Sequence, residues 1–305
     1  MVNVFLTGAS GFVGSHVTPV LLAAGHKLTA LARSAASAKK LEDQGVTVIR
    51  GTLEDTDILE KAAAASDGVI HLGFIHDFTN MPHAVKVELA ALEAFGKGLK
   101  GTNKPLIMTS GVLLASSPAP NEHTPANTVG RGQAENLAIS LASSGVRTHV
   151  VRLPPTTHGD GDQAFLTVYI QQSKKAGFAG YLGEGENHWP ATHVKDAAEL
   201  YKLALENPNK SLKGGEILHP TQDAGVPFKD VAAAVSKRLG VPTKSITPEE
   251  AGATYAWLGH FISLDAVADS KLTREWTGWE PKERALLEDI EKTEWYFAEG
   301  TAAKF

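Results

Sequence analysis

The chain has 305 residues, 43% of them hydrophobic, enough to bury a full core as one large domain or a large domain with a smaller lobe. Its 29 basic and 34 acidic residues leave a net charge of −5 without long runs of either sign, which argues against nucleic acid or an anionic membrane as the main partner. The lack of cysteine excludes disulfides, thiolate metal sites and cysteine nucleophiles, and no stretch approaches the roughly 18 apolar residues of a bilayer span, so a cytoplasmic address is expected.

Taken in chain order, the first half alternates short apolar runs with amphipathic or Ala-rich stretches. VNVFLT, KLTALA, VTVIR, GVIHL, PLIMT and RTHVVRL read as buried strands. Residues 12–24, 35–43, 56–65, 83–99 and 131–144 read as the helices between them. Repeated strand–helix–strand units imply an α/β fold, a parallel sheet with helices on both faces. Pro19 conflicts with the first helix, where it removes a hydrogen bond and crowds the Ser15 carbonyl at about 3 kcal/mol, so a kink is expected there.

After RLPPTTHGDGDQ the rhythm changes to longer helical stretches broken by loops such as GYLGEGENHWP and LKGGE. One further strand, EILHP, is expected to join the main sheet, within a smaller, mostly helical C-terminal substrate lobe. The division is a nucleotide-binding domain over 1–162 and a lobe over 163–305, partly interleaved with the sheet. Thr247, Pro248 and Glu250 form a helix start, and Asp196 is expected to cap another helix.

The stretch VFLTGASGFVGSH carries the strongest signal. Gly8, Gly11 and Gly14 follow a strand and open a helix, the context that makes this spacing a dinucleotide fingerprint. The first glycine permits a tight turn, the second admits a pyrophosphate to the backbone, and the third lets helix and strand pack closely. Backbone groups of Ser10, Gly11, Phe12, Val13 and Gly14 then face the phosphates at the positive end of the helix dipole. The plainer alternative is a tight strand-to-helix turn and nothing more.

An acid about 20 residues onward would accept the ribose 2′-hydroxyl of NAD. Here Arg33 and Ser34 occupy that place, and no acid lies between Gly14 and Glu42. Arg33 can pair with a 2′-phosphate through its planar fork, with Lys39 or Lys40 adding charge, which favours NADP over NAD. A solvated strand-end arginine is the alternative.

With TGASGFVG at the start, VIHLGF, MTSG and RLPPTTHG after the fourth to sixth strands and TREWTGWEP near the end, the chain resembles the short-chain dehydrogenase/reductase superfamily. More narrowly, it resembles atypical members of the extended, NAD-dependent epimerase/dehydratase branch. The resemblance implies a Rossmann-type doubly wound sheet, with cofactor contacts from Leu53, Leu72, Gly73, Thr109, Pro154 and Thr156 besides the glycine turn. It also implies a catalytic serine and a Tyr-x-x-x-Lys pair, in which tyrosine moves the proton and lysine holds the nicotinamide ribose.

The chain departs from that last pattern. None of its five tyrosines has lysine four positions on. In NTVGRGQAEN, Glu135 puts Arg131 in the lysine place and Asn127 in the tyrosine place, while the serine place falls on Gly111, preceded by Thr109 and Ser110. A positioned acid is worth about 10²- to 10⁴-fold in rate. Asn127 offers no such proton, and arginine, with a pKa above about 12, does not cycle one.

Other candidates each have a bland reading. His76 and Asp77 follow the fourth strand, where ligands of such sheets sit; His76 is a candidate proton donor, or the pair shapes a loop. His158 and Trp189 are candidate substrate contacts, or packing residues. Trp257, His260 and Phe261 are candidates for the opposite wall of the substrate cavity, or an apolar helix face, and Asp160 and Asp162 read as a surface loop lacking the rest of a calcium motif. No His-x-x-x-His spacing occurs, so no metal is assigned. The leading expectation is an NADP(H)-dependent oxidoreductase on a small or medium carbonyl or alcohol, using Ser110, Arg131 and His76. The rivals are an epimerase or dehydratase with tightly held nucleotide, and a non-catalytic NADP-binding sensor.

Overall fold

The computed structural model describes residues 1–77 and 79–301. The first half runs β1 (Asn3–Thr7), α1 (Phe12–Ala23), β2 (Lys27–Ala32), α2 (Ala35–Glu42), β3 (Thr47–Arg50), α3 (Thr56–Ala64), β4 (Gly68–His71), α4 (Met81–Leu99) and β5 (Pro105–Gly111). It continues with α5 (Gly132–Ser140), β6 (Arg147–Leu153) and β7 (Thr156–His158). The second half comprises α6 (Phe165–Ala176), β8 (Ala179–Leu182), β9 (His188–His193), α7 (Val194–Glu206), β10 (Glu216–Leu218) and β11 (Asp223–Pro227). It ends with α8 (Phe228–Leu239), β12 (Thr243–Ile246), α9 (Pro248–Tyr255), α10 (Leu258–Phe261), α11 (Lys271–Thr277) and α12 (Leu286–Lys292).

Seven strands form one parallel sheet in the order β10-β6-β5-β4-β1-β2-β3. The apolar runs are continuous rather than alternating because both faces are covered. Side chains of α1, α2 and α7 pack on one face, and those of α3, α4 and α5 on the other. Strand order reverses between β1 and β4, and in such sheets the crevice beyond the carboxyl ends at that reversal takes the ligand. This is the Rossmann arrangement expected from the sequence, and EILHP does join the sheet, as β10 beside β6.

The second half contains more strand than its sequence suggests. β11, β9 and β7 make a three-stranded sheet, and β12 pairs with β8. These segments are short and carry glycine or proline, as in AGYL, HWPATH and DAGVP, which masks their periodicity. Their apolar residues join a separate core around Tyr169, Trp189, Phe228 and Tyr255. The chain also crosses back: α11 packs on α7, and the buried Trp279 donates its indole N–H to the Asp196 carbonyl at 2.8 Å.

Two local expectations are corrected. The kink at Pro19 does not interrupt α1, which runs unbroken from Phe12 to Ala23. Gly14, Val17, Thr18 and Leu21 form its buried face and α7 packs against it, whereas Pro19 is exposed, so the lost hydrogen bond falls on the solvent side. The cap of α7 is His193, whose ring accepts the Lys195 N–H; Asp196 lies in the first turn and accepts from the Lys282 and Glu283 amides at 2.9 and 3.0 Å. The Thr247–Glu250 capping box forms as read.

Two glycines of the N-terminal turn are fixed by contact. Gly8 has φ +72°, and a Cβ there would lie 2.6 Å from the Gly73 amide nitrogen. A Cβ on Gly14 would lie 2.2 Å from the Gly8 carbonyl oxygen. Neither neighbour is a side chain that can swing aside. Gly14→Ala should therefore cost about 3 kcal/mol or more. Gly25→Ala, at a positive φ with no atom within 4 Å, should cost only about 1–2 kcal/mol, and denaturant titration of both variants checks the difference.

Candidate functional site

The turn after β1 ends in a helix start whose amides are left open. Gly11 is the N-cap residue of α1 and has no side chain to cap it, and the first turn contains no acid. The Gly11 amide closes on the Gly8 carbonyl at 3.0 Å, and the Ser15 amide takes the first helical bond to the Gly11 carbonyl at 2.8 Å. The N–H groups of Phe12, Val13 and Gly14 thus lack intrahelical acceptors and lie at the positive end of the helix dipole. These open donors suit a pyrophosphate, and a side chain at Gly8 or Gly14 would collide with the backbone that shapes the turn.

The floor of the crevice is set by β1 and β4. Thr7 Oγ1 lies 2.6 Å from His71 Nδ1 and accepts the Gly73 N–H at 3.2 Å, holding Leu72 and Gly73 against Gly8. Burial pushes the His71 imidazole down to about 3, so it is a neutral structural group. Leu53 follows β3 against the α3–α4 core, and Pro154 and Thr156 follow β6, both buried. Thr156 Oγ1 is buried without a hydrogen-bond partner among the described residues.

At the end of β2, Arg33 is exposed and its side chain has no hydrogen bond or ion pair among the described residues. Ser34 is the cap of α2, accepting the Ser37 N–H at 3.0 Å. Lys39 is engaged by Asp43 at 2.9 Å.

The structure brings Arg131, His76 and Thr109 together and adds partners that sequence reading missed. Arg131 stands just before α5 and forms a two-toothed pair with Glu88 of α4, its Nε at 3.1 Å from both carboxylate oxygens and its Nη2 at 3.0 Å. The same Nη2 donates to the Thr109 carbonyl at 3.0 Å. The guanidinium lies 4.0 Å over the Phe74 ring, which meets the His76 ring edge-on at 5.2 Å. Desolvation raises the pKa of Glu88, against the pull of Arg131. His76 reaches solvent, yet crowding by protein and then the Arg131 charge lower its pKa from 6.5. Asp77 is exposed and folds onto Thr79, accepting from its amide at 3.0 Å and its hydroxyl at 2.6 Å.

Ser110 is not presented to the crevice. Its hydroxyl donates to Glu135 at 2.6 Å, and Glu135 is in turn gripped by Arg152, with Nε at 3.0 and 3.1 Å. All three are buried. This commits the Ser110 proton to a carboxylate and makes the residue part of the β5–β6–α5 joint. Thr109 points to the opposite face, its hydroxyl 2.8 Å from the buried Tyr201 phenol. Tyr169, Tyr255 and Tyr296 are buried as well, so four of the five tyrosines sit in the cores.

The other sequence candidates lie deeper than expected. Trp189 packs between Phe165 and Phe228 in the second core. His158 is fully buried and its Nδ1 lies 2.8 Å from Asp289 Oδ2. Asp162, read as a surface residue, is buried, accepts the Ala164 N–H at 2.7 Å, and has its pKa pushed up to about 6 by desolvation. Potential ligand atoms of His158, His193 and Asp289 lie within 4.8 Å of one another, although no metal spacing is visible in the sequence. His193 Nδ1 accepts the Lys195 N–H, which leaves the ring proton on Nε2 rather than a lone pair, and burial lowers its pKa to about 4. A metal shared by the three groups would have to break that cap.

The sequence model of the NAD(P)H-binding family matches residues 8–168, from the first glycine of the turn to α6. The chain belongs to this family. It is 41% identical over 292 residues to an uncharacterized protein of Schizosaccharomyces pombe, covering 94% of this chain and 98% of that one. It is 27% identical over 266 residues to the decarboxylating sterol-4-alpha-carboxylate 3-dehydrogenase of Dictyostelium discoideum, covering 81% and 79%. The dTDP-glucose 4,6-dehydratase DesIV of Streptomyces venezuelae, solved with NAD, superposes with a TM-score of 0.75 at 15% identity over 98% of this chain and 97% of that one. The short-chain dehydrogenase/reductase resemblance is therefore upheld, and the fold is that of the extended epimerases and dehydratases. No helix of the described residues is long and apolar enough to cross a membrane.

The Glu88–Arg131 pair yields a test of its own. Arg131→Met strands a buried carboxylate and should cost about 3–5 kcal/mol, whereas Glu88→Leu combined with Arg131→Met should restore most of it. Equal losses in the single and double variants by urea unfolding would contradict the pairing.

Proposed function

We propose that the protein is an NADP(H)-dependent oxidoreductase that interconverts a small or medium carbonyl compound and its alcohol. The observation that carries this reading is the open first turn of α1 beside a β2 end that presents Arg33 where an NAD site would present an acid. Kinship with a sterol dehydrogenase supports redox chemistry over epimerisation. When bound, the nicotinamide supplies or takes the hydride.

The chain's own residues then have to place the substrate oxygen and handle its proton. Arg131, clamped by Glu88 and the Thr109 carbonyl, is a fixed cation at the carboxyl ends of β4 and β5, suited to orienting the ribose or a polarised oxygen. His76, which meets edge-on the Phe74 ring beneath that cation and is open to solvent, is the imidazole placed to transfer a proton. Ser110 is engaged by Glu135, and Asn127 binds the Ala115 carbonyl at 3.3 Å.

Assays over a panel of aldehydes and ketones with NADPH should reveal turnover. Product rearrangement without net cofactor consumption would point instead to an epimerase or dehydratase, and tight NADPH binding with no turnover to a sensor. Arg33→Asp should weaken NADPH about tenfold or more while changing NADH far less; an unaltered ratio removes the NADP assignment.

The pH dependence has a definite sign. Since the His76 pKa lies below 6.5, its protonated form is lost on the acid side of neutrality. kcat/KM for carbonyl reduction should fall as pH rises through that pKa, and alcohol oxidation should rise through it. His76→Asn should lower kcat about 100-fold and flatten both limbs; a profile that survives the change assigns the proton to another group.

A further inference from the structure

We propose that Arg50, at the end of β3, is a specificity-determining residue that supplies a second guanidinium to the 2′-phosphate of the cofactor. The inference rests on the NADP reading and adds to it a residue that no motif marks. Arg50 is the register partner of Ala32, the last residue of β2. Its side chain turns across that strand end: Nε donates to the Ala32 carbonyl at 3.2 Å and Nη2 to the Arg33 carbonyl at 3.0 Å. The guanidinium is thus pinned against the backbone of the residue whose side chain would meet the 2′-position.

Three consequences favour an anion there. The two bonds fix the plane of the fork, so little side-chain freedom remains to be lost when a phosphate docks. They also mask two carbonyl oxygens at the strand end that would otherwise repel a dianion. Nη1 is left without a hydrogen bond among the described residues, on an exposed side chain.

The charge pattern around it agrees. Neither Arg33 nor Arg50 has a carboxylate partner among the described residues. The nearby acids are turned elsewhere: Asp55 accepts the Thr52 amide and hydroxyl at 2.7 and 2.9 Å, and Glu54 faces His83 at 3.3 Å. Lys39, a cation suggested by sequence for this role, is held by Asp43. Two unneutralised arginines at adjoining strand ends match a phosphate monoester, which carries more charge and more acceptor oxygens than a ribose hydroxyl.

The test measures Kd for NADPH and NADH by fluorescence titration on the wild type, Arg50→Leu, Arg50→Lys and Arg33→Leu, with 2′,5′-ADP and 5′-AMP as fragments lacking nicotinamide. Arg50→Leu should raise Kd for NADPH and 2′,5′-ADP about tenfold or more while leaving NADH and 5′-AMP within about twofold, and Arg50→Lys should recover part of the loss. An equal loss for both members of each pair would make Arg50 a mere support of the turn and overturn the proposal, as would no loss at all. If the wild type does not prefer NADPH and Arg33→Leu leaves the ratio unchanged, the NADP reading itself fails and takes this proposal with it. A ratio that responds to Arg33 but not to Arg50 sinks this proposal alone.

Discussion

The structure depends on one close approach: the backbone of the turn after β1 packs against β4 on one side and against the first turn of its own helix on the other. Gly8 sits where a Cβ would strike Gly73, and Gly14 where a Cβ would strike Gly8. That packing lets the chain reverse from strand to helix within a few residues and leaves the α1 amides uncapped. An uncapped helix end is ordinarily a small defect, since orphan N–H groups seek acceptors. Placed at the strand-order reversal of a chain that belongs to the NAD(P)H-binding family, it is the surface proposed to receive a diphosphate.

Beyond the cofactor cradle, β5 and β6 are braced by two ion pairs of different character. Glu135 and Arg152 are wholly enclosed and draw Ser110 in with them, so the strand ends are locked to α5. Glu88 and Arg131 are only partly enclosed, because the arginine keeps a share of its surface open over Phe74. Burying such charges is expensive unless each finds a well-aligned partner, and both pairs do. The departure from the Tyr-x-x-x-Lys pattern acquires a physical meaning here. Arg131, which sequence reading sets in the place of the lysine, has its fork satisfied by Glu88 of α4 and the Thr109 carbonyl, a fixed positive charge rather than a proton carrier.

Sequence reading reached the elements whose signal is local. Six of the seven strands of the first half were legible because parallel strands covered on both faces are continuous apolar runs, and EILHP was legible for the same reason. The glycine turn was legible because its constraint is packed into seven residues. The small sheets of the second half were not, since glycine and proline interrupt HWPATH and DAGVP. Long-range pairings left no local mark: His158 finds Asp289 across 131 positions, and Ser110 finds Glu135 across 25. Glu88 could have been flagged, as a lone acid on the buried face of α4 among Ala84, Val85, Ala91 and Leu92, where a charge needs a partner. Arg50 carried no comparable signal, because an arginine at a strand end reads as solvated until its carbonyl partners are seen.

The central claim is that the open amides of α1 grip a diphosphate. Calorimetric titration of the purified protein with NADPH, ADP-ribose and adenosine examines it most directly, since the last lacks the diphosphate and the second lacks only the nicotinamide and the 2′-phosphate. The account predicts measurable binding of NADPH and ADP-ribose and none of adenosine at the same concentrations. Adenosine binding as well as ADP-ribose, or heats indistinguishable from dilution for all three, would contradict it.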